Sequence, residues 1–92
     1  MLGFFIWGLV IGGALTAIVL AVRYLNKDRV RNDLKDRGLD NACIQKIVED
    51  DGITHIYLDA IDEDGNPIEI VYEAEDYNHS EIREGMTIEV LG

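Results

Sequence analysis

The spacing of hydrophobic and polar positions changes twice along this chain. Residues 1–22 contain no Asp, Glu, Lys, Arg or His. At about 1.5 Å per residue such a run spans roughly 33 Å as a helix, which matches a hydrocarbon core of about 30 Å. It predicts one transmembrane helix. Phe4, Phe5 and Trp7 near one end and Tyr24 beyond the other fit rings placed at the headgroup level. No Lys or Arg precedes the run and no small-x-small cleavage pattern follows it, so the segment reads as a signal-anchor rather than a cleaved leader.

Residues 26–37 contain no Gly or Pro. Val30 and Leu34 stand at i, i+4, as do Asp33 and Arg37. Gly38 fits the left-handed position that ends many helices. The expectation is one continuous helix from about Gly3 to Arg37, bending near Asn26, whose second part is a juxtamembrane stalk.

After Asp40 the period becomes two. Ile56, Leu58 and Ala60 alternate with Tyr57 and Asp59. Ile68, Ile70, Tyr72 and Ala74 lie opposite Glu69, Glu73 and Glu75, and Met86, Ile88 and Val90 opposite Thr87 and Glu89. Residues 43–49 are less regular and read as a first strand, with a short helix as the alternative. Asp51-Gly52 predicts a tight hairpin, and residues 62–66 a second turn before Pro67 opens a strand. The third connection, 76–85, holds a single turn that Ser80 caps and Gly85 ends. The predicted class is α+β: a transmembrane helix (1–22), a helical stalk (23–37) and a small antiparallel β meander or partial barrel (38–92).

The segment Ile82-x-x-Gly85-Met86-x-Ile88-x-Val90 resembles the turn and final strand of small β-barrels of the OB and SH3 type. A membrane helix followed by a small barrel is similar to the arrangement in proteins of the NfeD kind. The resemblance rests on that one pattern and implies a fold, not a function.

Charge adds direction to this picture. Residues 23–37 carry six basic residues and three acids, net +3, whereas 38–92 carry fifteen acids against Lys46 and Arg83, net −13. Positive charge on one flank predicts an N-terminus outside and a cytoplasmic C-terminal domain. So acidic a domain argues against nucleic-acid partners, whose phosphates repel it. A single cysteine, Cys43, makes no internal disulfide and favours a reducing compartment.

Candidate chemistry is sparse. Asp62-Glu63-Asp64-Gly65 fails as an EF-hand, because Ala60 and Val71 would fill its first and twelfth positions. Cys43, Ser80, Thr54 and Thr87 as nucleophiles, with His55 or His79 as base, form no recognisable constellation. One Cys and two His at wide spacing give no metal template. The reading is therefore a non-enzyme with no cofactor, metal or small-molecule substrate.

Two contact surfaces remain. Gly8, Gly12 and Thr16 form a small-residue ridge suited to helix–helix pairing, with Gly13, Ala17 and Ala21 beside it. Thr54, Tyr57, Val71, Thr87 and Leu91 are the neutral positions expected to face a protein partner. The function expected is a single-pass, membrane-anchored interaction module, integral in lipid, that presents its β domain to a protein or to another copy. The rival is an oligomer, holin-like or regulatory, whose β domain controls assembly.

Overall fold

β-Branched residues recur through the second part of the apolar run, at Thr16, Ile18, Val19 and Val22, and there the chain is a strand. The computed structural model describes residues 16–90. In chain order these form β1 (Thr16–Leu25), α1 (Lys27–Asp36), β2 (Asn41–Asp50), β3 (Ile53–Ile61), β4 (Pro67–Tyr77) and β5 (Thr87–Glu89). Five strands make one sheet in the order β1-β4-β3-β2-β5.

The expected membrane helix is thus corrected, and the localisation built on it falls with it. Among the described residues no helix is long and apolar enough to cross a membrane. The reason lies in what an apolar run means. A strand beside a parallel neighbour is commonly apolar on both faces, and hydropathy alone does not separate it from a helix. β1 runs parallel to β4 with Ile18 opposite Ile70, Leu20 opposite Tyr72 and Val22 opposite Ala74. Those residues turn to the core, while Ala17, Val19 and Ala21 point the other way.

The basic collar is not a stalk either. Asn26, in extended geometry, breaks the chain between β1 and α1 and caps the helix, its Oδ1 accepting the Arg29 N–H at 2.9 Å. At the far end Gly38 has φ +72°, the left-handed stop expected from the sequence. Val30 and Leu34 are fully buried and join Val22, Leu25, Ile44 and Ile56 in one core. Residues on both sides of the expected boundaries at 22/23 and 37/38 therefore share that core. The charge asymmetry behind the predicted orientation belongs to a helix packed on a sheet.

Strands β2, β3 and β4 follow one another antiparallel, as the alternation predicts. The Asp51-Gly52 hairpin has φ +54° and +84°, the pair of positive values a two-residue turn requires. Asp62 holds the next turn, its Oδ1 accepting the N–H groups of Asp64 and Asn66. The meander stops there. β5 pairs with β2, not with β4, and β1 takes the place beside β4. Because β1 and β2 run the same way, α1 is a crossover over one face of the sheet. The ends of the sheet, β1 and β5, are not paired with each other among the described residues.

Two loop details complete the frame. Asn78, rather than Ser80, caps the turn after β4, its Oδ1 accepting from the N–H groups of Ser80 and Glu81. β2 bulges between Ile44 and Lys46, so Ile44 and Ile47 both reach the core, and this explains the irregular period there. Glu84 Oε2 accepts the Ile47 N–H at 2.8 Å just past the bulge.

Candidate functional site

α1 covers the sheet face that carries Ile56, Leu58, Ile70 and Tyr72. On the opposite face strand alternation sets out four short rows. Ala17 and Val19 come from β1, Glu69, Val71 and Glu73 from β4, His55, Tyr57 and Asp59 from β3, and Cys43, Lys46 and Val48 from β2. Register places Tyr57 opposite Val71, His55 opposite Glu73 and Asp59 opposite Glu69. Lys46 stands opposite Tyr57, and Cys43 opposite Asp59.

A groove of about 510 Å³ runs across all four strands, with Ala17, Val19, Val48, Tyr57 and Val71 as apolar lining, Glu49, Asp50, Glu69 and Glu73 as acids, and His55 beside Glu73. A smaller recess of about 250 Å³ adjoins it, between Ala21, Arg23, Ile53, Glu73 and Glu75. The groove joins an apolar strip to concentrated negative charge.

Glu69 is the unusual member. It lines the groove yet is only 4% exposed. Burial, and then the charge of Asp59 across the strand, raises its carboxyl above the ordinary range. Burial also raises Asp59. Tyr57 is pushed up by burial and then by the charges of Glu69 and Glu73. His55 Nε2 lies 3.7 Å from Glu73 Oε2.

Of the expected contact face, the structure brings together Tyr57 and Val71 on the groove side, where Val71 is only 6% exposed. Thr54 shares the parity of Ile56, so it sits on the covered face and is 5% exposed. Thr87 is exposed on β5 opposite Cys43. Leu91 lies outside the described residues, as do Gly8 and Gly12. Thr16 opens β1 opposite Ile68, and Ala17 and Ala21 lie in the same strand, so the small-residue ridges that suggested helix pairing are not helical there.

Sequence reasoning missed Glu69. Its place in an alternating strand marks it as outward, and outward acids are ordinarily solvated. The available signal was Asp59, since an antiparallel hairpin over the 62–66 turn sets the two acids opposite each other.

The candidate nucleophiles and bases stay apart. Cys43 lies opposite Asp59, four positions along β3 from His55. His79 stacks on Tyr77 with ring centroids 4.0 Å apart, and the Ser80 N–H is bound by Asn78. No group of three His, Cys, Asp or Glu among the described residues is placed to hold a metal ion.

No family model, curated protein or solved structure matches this chain.

Proposed function

We propose that this protein is a non-catalytic interaction module that engages a protein partner through the sheet face opposite α1. One observation carries the reading: four strands line a single groove whose apolar strip includes Val19, a valine 58% exposed. Apolar side chains set in a concave, acid-rimmed strip form a surface that loses water favourably when covered, whereas isolated exposed valines mean little. The acids argue against two copies meeting through this face, since like charges would be brought together.

Affinity purification of the full chain in mild detergent, with quantitative mass spectrometry, tests it. Val19→Asp should remove the co-purifying partner. Lys35→Ala, on the exposed side of α1, should keep it. Equal recovery with both variants contradicts the reading.

A further inference from the structure

We propose that the groove recognises an arginine side chain carried on an extended segment of the partner, with Glu69 as its buried counter-ion; this rests on the contact reading above and names its ligand. The starting point is the environment of Glu69. Among the described residues it takes part in no hydrogen bond or ion pair, although it is 4% exposed. No buried polar side-chain atom among them is both enclosed and unsatisfied, so the Glu69 oxygens retain an opening, and the space they border is the groove.

Its surroundings work against the ionised form. Asp59 stands directly across the strand pair, and like charges in that position destabilise a sheet. A carboxylate withdrawn from water without a partner is unfavourable unless a cation or hydrogen-bond donors reach it. Strand geometry supplies a second carboxylate for the same cation. Glu69 and Glu73 lie on one face of β4 with Val71 between them, about 13 Å apart along the strand at roughly 3.3 Å per residue. Tyr57 stands opposite Val71, between the two acids along the strand, and both charges act on its hydroxyl.

The apolar lining selects among cations. A guanidinium is planar, more weakly hydrated than an ammonium and able to bridge carboxylate oxygens, so it suits a half-dry groove better than lysine does. Side chains two apart in an extended segment share one face and lie about 6.6 Å apart at roughly 3.3 Å rise, the spacing of Glu69, Val71 and Glu73 along β4.

The test is nuclear magnetic resonance titration of the isotope-labelled full chain in detergent. The probe is an acetylated, amidated five-residue peptide, arginine-serine-valine-serine-arginine, whose arginines and valine share one face when extended, and its control carries citrulline, which keeps the shape and removes the charge. Saturable shifts centred on Glu69, Val71 and Glu73, at least tenfold weaker with citrulline and with Glu69→Gln, support the proposal. Equal binding of the citrulline peptide overturns it, as do shifts spread over Asp62, Asp64 and the other exposed acids. Should Glu69→Gln lose the folded spectrum, Glu73→Gln takes its place, with at least threefold weakening expected and unchanged affinity overturning the idea. Absence of any binding removes the arginine proposal, while the Val19→Asp purification decides the contact reading by itself.

Discussion

The hydroxyl of Tyr72, a fully buried side chain on β4, donates a hydrogen bond of 2.7 Å to Oδ2 of Asp33 on α1. The same carboxylate oxygen accepts from Arg29 Nε at 3.2 Å. This contact fixes the helix over one face of the sheet, and thereby decides which face remains for the groove. Tyr72→Phe keeps the ring and removes the donor. A hydrogen bond to a charged group contributes about 1.5–3 kcal/mol, so chemical denaturation should show a loss of that order. A double-mutant cycle with Asp33→Ala should give a coupling of at least about 1 kcal/mol.

Tyr72 also predicts behaviour in alkali. Burial first, then the bond to Asp33, raises its phenol above the ordinary 10.0. Above that value the unfolded chain releases the proton while the folded chain keeps it, so stability falls as pH rises. Tyr72→Phe should flatten that fall. A wild-type slope retained in the variant would place the alkaline sensitivity elsewhere.

Glu69 predicts the opposite limb. Its folded carboxyl is raised above the ordinary 4.5, so within that window the native chain binds more protons than the unfolded one. Stability falls as pH rises through the window, and the penalty is complete above it. The titratable groups sharing this face are Asp59, Tyr57, Glu73, His55 and Lys46. Glu69→Gln should raise the midpoint of thermal unfolding near neutral pH, with the difference closing below 4.5. A variant less stable than wild type at neutral pH would show that the charge has a stabilising partner.

The hairpin between β2 and β3 depends on backbone geometry alone at Gly52. An added Cβ meets nothing within 4 Å, yet φ is +84°. Gly52→Val should therefore destabilise by about 1–2 kcal/mol through backbone strain, without any clash. Equilibrium unfolding in urea gives the comparison, and a neutral result would mean that the turn rearranges.

How legible this fold was depends on which force shaped each segment. In β3 and β4 one face carries the apolar core residues and the other mostly polar ones, so alternation reports the strands and even the buried set Ile56, Leu58, Ile70 and Tyr72. Turns declared themselves through Asp51-Gly52 and Gly38, where positive φ demands particular residues. β1 was hidden because its outward positions are Ala17, Val19 and Ala21, which erase the alternation and leave only hydropathy. The partner of β5 was hidden because three residues carry no register information, and their neighbour is decided by Ile44 and Met86 far apart in sequence. Of the groove, Tyr57 and Val71 were visible as neutral positions among charges. Glu69 was not, since its burial arises from strands that converge only in the folded chain.

Leu25 offers an independent check on the role of β1. It is fully buried, and its carbonyl accepts the Asn78 N–H at 2.8 Å. Leu25→Ala should destabilise the fold by about 2–5 kcal/mol, as for other buried leucines. A change within about 0.5 kcal/mol would place that side chain outside the core.

Both the fold and the groove depend on residues 16–25 being a strand beside β4, since Ala17 and Val19 form one wall of the groove. Nuclear Overhauser measurements on the full chain in detergent test this directly. Cross-strand contacts joining Ile18 to Ile70 and Leu20 to Tyr72, with slow amide exchange along β1, are the predicted result. Helical contacts between residues four apart through 16–25, with none to β4, would contradict the account.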